Sequence, residues 1–334
     1  MADASVEGYD IIGDVHGCAG QLEALLVELG YRPADGTGEY RHPRRQAIFV
    51  GDLIDRGDEQ LRVLHVVKRM VDAGSAQIVM GNHEFNAIAY HTEWPHGSGK
   101  YLRAHDDPDS PWSEKNTKQH QAFLDQVTGD DRHLYLEWFK TMPLWLDLGD
   151  LRVVHACWHG DSIALIEQRC GSNIPFTEPE HLAAASTEED PLYRAVETLL
   201  KGPEISLVDH GQPKYKDKDG IPRENARVKW WNSSARTLRD IAEMTGNFTT
   251  VCGEPYPRLP DLELPEGAQP YVYVGQIPVF YGHYWRQGSP RHGHDWADYT
   301  GCVDFSAVTG GTLTAYRWSG EKQIRPDHYV PRAD

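Results

Sequence analysis

The sequence predicts an α/β fold in which short parallel strands alternate with helices. The prediction rests on one local pattern that recurs three times between residues 9 and 90: an apolar run, a tight polar segment containing glycine, then helical periodicity. Its regular spacing suggests βαβ units, whose ligand sites lie beyond the carboxyl ends of the strands.

Residues 9–12 form the first apolar run, and residues 13–17 the first polar segment. A helix follows with Leu22, Leu25, Leu26 and Leu29 on one face. In the second unit, residues 47–50 lead through 51–57 to a helix whose expected face is Leu61, Leu64, Val67 and Val71. In the third, residues 76–80 lead through 81–84 to another helix. Residues 91–135 are polar and interrupted by Pro95, Pro108 and Pro111, and read as a long, partly helical insertion. Residues 144–148 and 151–154 read as a hairpin turning at Gly149-Asp150 and ending in His155. Apolar periodicity weakens from 171 to 270, which reads as a second insertion and a candidate cap over the site. Strands are expected at 271–274 and 278–281, the latter ending in Gly282-His283. A last hairpin is expected from 302–306 and 312–318 around Gly310-Gly311. The adjacent Trp230 and Trp231 would face opposite ways on a strand, with one in the core.

With 334 residues, 40% of them apolar, the chain can bury a sizeable core. We read it as a single domain over 1–334 with insertions at 91–135 and 171–270. Lys plus Arg number 33 against 50 Asp plus Glu, a net charge of −17. That balance argues against nucleic acid and a polybasic membrane anchor, but not against an anionic substrate at a locally positive site. No signal peptide or membrane-spanning run is recognisable, and Cys18, Cys157, Cys170, Cys252 and Cys302 lack any paired spacing. A cytoplasmic protein with free thiols is expected.

The polar residues at the expected strand ends are Asp14, His16, Asp52, Asp55, Arg56, Asn82, His83, His155 and His283. Carboxylate, imidazole and amide oxygen are ligands for borderline-hard divalent metals such as Mn, Fe and Zn. They are too many for one ion, and a shared carboxylate could hold two ions roughly 3.5–4 Å apart. Taken singly, Asp14 and Asp52 could instead cap helices, and His155 and His283 could be core histidines.

Gly13-Asp14-Val15-His16-Gly17, Gly51-Asp52-Leu53-Ile54-Asp55-Arg56-Gly57 and Gly81-Asn82-His83-Glu84 together resemble the signature blocks of calcineurin-like metallophosphoesterases, and more narrowly the phosphoprotein phosphatase branch. Val153-Val154-His155-Ala156 and Tyr281-Gly282-His283-Tyr284 resemble that family's two later histidine blocks. The resemblance implies a two-sheet sandwich flanked by helices and a two-metal hydrolase. By the same resemblance Asp14 and His16 would hold the first ion, Asp52 would bridge, and Asn82, His155 and His283 would complete the second. Arg56 would bind phosphate oxygens, and His83, oriented by Asp55, would protonate the leaving oxygen. Arg223 and Arg227 are candidates, by order alone, for the second phosphate-binding arginine usual in the family.

The expected reaction is hydrolysis of a phosphomonoester, as in serine/threonine phosphatases. The alternatives are a dinucleoside polyphosphate (diadenosine tetraphosphate) hydrolase and a cyclic phosphodiesterase. Gly17-Cys18 with Gln21-Leu22, and Gly310-Gly311-Thr312-Leu313-Thr314, resemble the bacterial diadenosine tetraphosphatases. Ala156 and Cys157 stand where protein phosphatases usually carry two glycines. A catalytically dead scaffold would be expected to lack a ligand or His83, and neither is missing. His159, His292, His294 and Arg286 read as surface or supporting residues. Lys214, Lys216, Lys218, Arg223, Arg227 and Lys229 read as a solvated basic face.

Overall fold

The computed structural model describes residues 6–217, 220–244, 246–265 and 270–331. Lys218 of the basic cluster, and residues 266–269 of the expected second insertion, lie outside them. The chain divides into two compact units, Met1–Lys201 with Gln276–Asp334, and Gly202–Gly275.

The first unit holds two five-stranded mixed sheets. The strands of these two sheets are β1 (Gly8–Ile12), β2 (Arg45–Phe49), β3 (Ala76–Ile78), β4 (Trp145–Asp147), β5 (Arg152–Val154), β6 (Val279–Tyr281), β7 (Trp296–Ala297), β8 (Thr300–Cys302), β9 (Ala315–Trp318) and β10 (Tyr329–Val330). One sheet runs β10-β9-β1-β2-β3 and the other β7-β8-β6-β5-β4. Strands β1, β2 and β3 are parallel, as the repeated strand-turn-helix pattern predicts. Ile11, Ile48, Val153, Phe280 and Tyr316, from both sheets, share one buried core, so the sheets pack face to face. Asp10 is buried in mid-strand, but Arg45 and Arg317 each approach its Oδ1 within 3.1 Å and Tyr31 donates to Oδ2 at 3.1 Å. It is a cross-strand tie.

Helices α1 (Ala19–Glu28), α2 (Gln60–Asp72) and α3 (Asn82–His91) follow the three parallel strands. The buried side of α2 is Val63, Leu64, Val67 and Met70, with Gln60. The expected Leu61 and Val71 are only half-buried, because the helix is rotated to bring Gln60 onto the Asp55 loop, where its side chain bonds the backbone three times. The polar stretch 91–135 contributes α4 (Ser113–Gln126) and most of α5 (Gly129–Lys140). Further along are α6 (Gly160–Cys170), α7 (Pro179–Ala185) and α8 (Pro191–Lys201). No described helix is long and apolar enough to cross a membrane.

The 144–154 hairpin forms as expected, with Trp145 opposite Val154 and Leu148 closing on Leu151. The expected hairpin over 302–318 does not form. Strand β8 pairs parallel with β6 in one sheet, while β9 pairs antiparallel with β1 in the other. The chain is diverted at Asp304, which accepts backbone hydrogen bonds from Trp285 (2.7 Å) and Ser306 (2.9 Å), and Ser306 adopts a left-handed φ of 58°, which turns the chain out of the first ladder.

In the second unit the strands Glu204–Ser206, Asn225–Val228 and Ala242–Glu243 form one small sheet, and Tyr215–Lys216, Pro222–Arg223 and Thr249–Thr250 another. Residues 271–274 join no ladder, and Tyr273 instead donates to the Trp230 carbonyl at 2.7 Å. Trp230 and Trp231 are both buried and lie in a turn, so the strand alternation expected for them does not apply.

Candidate metal centre

Each strand end of the first sheet turns sharply, and the turns grip one another. Val15 and His16 donate their backbone N–H groups to the Asp52 carbonyl (3.1 and 2.9 Å), Gly17 donates to Leu53 (2.9 Å), and Gly57 returns a bond to His16 (3.0 Å). Glu84, buried at the start of α3, accepts from the backbone N–H of Asp52 (2.9 Å), Leu53 (2.8 Å) and Gly81 (3.0 Å). One carboxylate thus fixes the second loop to the third. Burial, then the nearby Asp52, pushes the Glu84 carboxyl up to about 7.

The backbone here is strained. His16, Asp52, Asp55, Arg56, His283, Trp285 and Ser306 all take left-handed φ angles, and among the described residues Asp106 is the only other non-glycine to do so. Such a conformation costs an L-residue roughly 1–2 kcal/mol, so its concentration at one place marks geometry imposed by the surrounding structure.

That geometry gathers the strand-end side chains. Asp52 Oδ2 lies 3.6 Å from His16 Nε2, 3.5 Å from His155 Nε2 and 3.9 Å from His83 Nε2. Its other oxygen accepts the His83 backbone N–H at 3.0 Å. Asn82 Oδ1 sits 3.1 Å from His155 Nε2 and 2.9 Å from His283 Nδ1. Asp14 accepts the His283 backbone N–H at 3.0 Å. Asp14 and Asp52 do not cap α1 or α2, whose N-caps are Cys18 and Glu59. Two ligand groups result, His16–Asp52–His83 and Asp52–His155–His283, and Asp52 belongs to both.

The donor set fits divalent cations on three counts. Asp14 Oδ1 and His16 Nε2 are buried with no hydrogen-bond partner among the described residues. His16 and His155 both give Nδ1 to backbone carbonyls, Ile54 and Val50, at 2.7 Å, which turns Nε2 inward as a lone-pair donor. Carboxylates also crowd one another: burial, then Asp304 and Asp52, raises Asp14 well above the usual range. Burial works against the charge on Asp52, yet His155 and His83 hold it well below the usual range. His16 is pushed down to about 3 by burial and the neighbouring His83, leaving it neutral as a metal ligand must be.

Gly282 shows how tightly the space is allotted. A Cβ on it would fall 2.0 Å from Asp14 Oδ1, the unpartnered oxygen. Gly282→Ala should therefore displace the Asp14 carboxylate and weaken metal binding by about 10–100-fold while leaving the fold intact. Metal titration beside a thermal melt checks this. Unchanged affinity would detach Asp14 from the metal position.

Beside the ligands, Arg56 lies with Nη2 3.5 Å from His83 Nε2 and its guanidinium 4.0 Å over the Trp285 ring. His83 Nδ1 meets Asp55 Oδ2 at 2.5 Å. Burial opposes the Asp55 charge, but hydrogen bonds from His120 and His83 hold its carboxyl well below the usual range.

Arg223 and Arg227 belong to the second unit, where each meets a carboxylate: Arg223 with Asp217 at 2.8 Å and Arg227 with Glu204 at 3.2 Å. Lys214 likewise pairs with Glu224 at 2.8 Å. His159 caps α6 by accepting from the Ser162 N–H at 3.1 Å, and Arg286 is buried 3.5 Å from Asp295. Sequence reasoning assigned no role to Glu84, His120, Trp285 or Asp304. Glu84 and Trp285 adjoin the histidine blocks and could have been suspected; His120 and Asp304 carried no local signal.

An asymmetrical bis(5'-nucleosyl)-tetraphosphatase, PrpE, of Oceanobacillus iheyensis is 32% identical over 44% of this chain and 54% of its own length, so the chain spans about half of that relative. A symmetrical bis(5'-nucleosyl)-tetraphosphatase of Pectobacterium carotovorum is 24% identical over 93% of this chain and 92% of its own. Among solved structures, a protein serine/threonine phosphatase from Saccharomyces cerevisiae aligns over 98% of this chain and 80% of its own, with 11% identity and a TM-score of 0.48. The family model described as calcineurin-like phosphoesterase matches residues 9–284, from β1 to just past His283. The chain therefore belongs to the calcineurin-like phosphoesterases.

Proposed function

We propose that this enzyme cleaves the phosphoanhydride chain of a dinucleoside polyphosphate, in the cytoplasm, at a centre of two divalent ions (Mn, Fe or Zn). The observation that carries the substrate is the relative aligned over nine-tenths of both chains, whose name is that of a tetraphosphatase. This places the dinucleotide reading ahead of the phosphomonoester reading expected from the sequence. Asp14, His16 and Asp52 would hold one ion, and Asp52, Asn82, His155 and His283 the other. When bound, the ions supply an acidified water as nucleophile and neutralise charge on the phosphate.

The chain's own groups do the rest. Arg56, held 4.0 Å over the Trp285 ring, would turn its planar donors to two phosphate oxygens. Asp55 holds His83 by Nδ1, so that Nε2 faces Arg56 and Asp52 and can deliver a proton to the leaving oxygen. The same pair supports a second reading, a phosphomonoesterase acting on phosphoserine or phosphothreonine. An alkoxide leaves poorly without a proton, whereas a phosphate group, with a pKa of about 6, leaves well without one.

The test is a metal-supplemented comparison of diadenosine tetraphosphate, a phosphopeptide and an aryl phosphate. The proposal expects kcat/KM to be highest for the dinucleotide. A phosphopeptide that outranks it would replace this reading with the second.

A further inference from the structure

Asp55 carries two imidazoles. His83 Nδ1 lies 2.5 Å from Oδ2, and His120 Nδ1 lies 2.8 Å from Oδ1. An ionised carboxylate only accepts, so both Nδ1 atoms bear hydrogens. All three side chains are buried. His120 comes from α4, 65 residues beyond Asp55 and outside every strand-end block.

The helix is fastened so that His120 stays in place. Arg103 joins α3 to α4 by donating to Asn86 Oδ1 (3.0 Å) and Gln119 Oε1 (2.9 Å). Gln126, at the end of α4, donates to the Gly57 carbonyl (3.1 Å) and accepts the Gln60 N–H (3.0 Å). The His120 ring stacks on Phe123 with centroids 4.7 Å apart, and its Nε2 has no hydrogen-bond partner among the described residues. A phenylalanine would make that stack without leaving a buried nitrogen unsatisfied, so the polar gain from histidine here is its bond to Asp55.

We infer that His120 is a positioning residue which, through Asp55, fixes the ring of His83. With a donor on each oxygen, the Asp55 carboxylate cannot turn about its terminal torsion, and His83 Nε2 is held at one angle to the reacting phosphate. The consequence for catalysis rests on the proposed role of His83 as the proton donor.

The experiment uses the full-length, zinc-loaded enzyme and two variants. His120→Phe keeps the stack and removes the donor; His120→Asn places an amide N–H near the Nδ1 position. The downfield proton resonance of His83 Nδ1, identified by its loss in His83→Asn, should shift or broaden in His120→Phe and return in His120→Asn. On an alkyl phosphate kcat should fall about 10–100-fold in His120→Phe with little change in KM. The loss should be only a few-fold on nitrophenyl phosphate and should be largely rescued in His120→Asn. If His120→Phe does not fold, His120→Gln, whose amide reaches the Nε2 position, should show the same defects. An unmoved His83 resonance, or equal losses in His120→Asn and His120→Phe, would overturn the inference. A His83→Asn penalty independent of leaving group would remove only the acid role, and the resonance would then decide the positioning role alone.

Discussion

Asp52→Asn is expected to cut turnover by on the order of 10³-fold or more and to strip the protein of both ions together. The two ligand groups meet only at this side chain, since His16 and His155 approach the same Oδ2 at 3.6 and 3.5 Å. Asparagine keeps the Oδ1 that accepts the His83 N–H, but replaces Oδ2 with an amide nitrogen that has no lone pair to give. The backbone should not object. Position 52 has a φ of 52°, which asparagine tolerates as well as aspartate, and the loop is held from outside by Glu84. The variant should therefore melt like the parent once both are metal-free. Metal content per chain by elemental analysis, a thermal melt and an aryl phosphate assay check the three parts. A folded, metal-replete and active Asp52→Asn would take Asp52 out of the centre.

How much of this was legible in the sequence depends on how local the determinants are. Asp14, Asp52 and Asn82 each follow a strand by one or a few residues and adjoin glycines, so type and spacing alone mark them as a set. The structure brings all nine strand-end residues named from the sequence to one place. His120 was illegible because its partner lies 65 residues away and α4 is a largely polar helix, in which only Phe123 among the large apolar residues is fully buried. The 302–318 segment misled for a related reason. Its alternation and paired glycines favour a hairpin locally, but Asp304 takes backbone N–H groups from both Trp285 and Ser306 and diverts the chain between sheets. Chain order alone points to Arg223 and Arg227, and order carries no distance; each meets a carboxylate of its own unit.

His83→Asn should slow hydrolysis by about 10²–10⁴-fold on an alkyl phosphate and far less on an activated aryl ester, with metal content unchanged. His83 is within 3.9 Å of Asp52 Oδ2, close enough to be counted with a ligand group, so the geometry admits two roles. The Arg56 guanidinium favours the acid: it lies 3.5 Å from His83 Nε2, and this cation would repel a metal ion at the same nitrogen. A proton donor matters in proportion to the charge left on the departing oxygen, so the penalty should shrink as the leaving-group pKa falls. Asp55→Asn should follow the same trend more weakly, because it acts only through the imidazole. His155→Asn provides the contrast: its ring is fully buried against Asp52 and Asn82, and its loss should remove metal and activity together on every substrate. Parallel plots of log kcat against leaving-group pKa for the parent and the three variants, with metal content measured on each, separate the roles. A flat penalty for His83→Asn with chemistry rate-limiting, or a metal lost with it, would return His83 to the ligands and leave the leaving oxygen to be protonated by solvent.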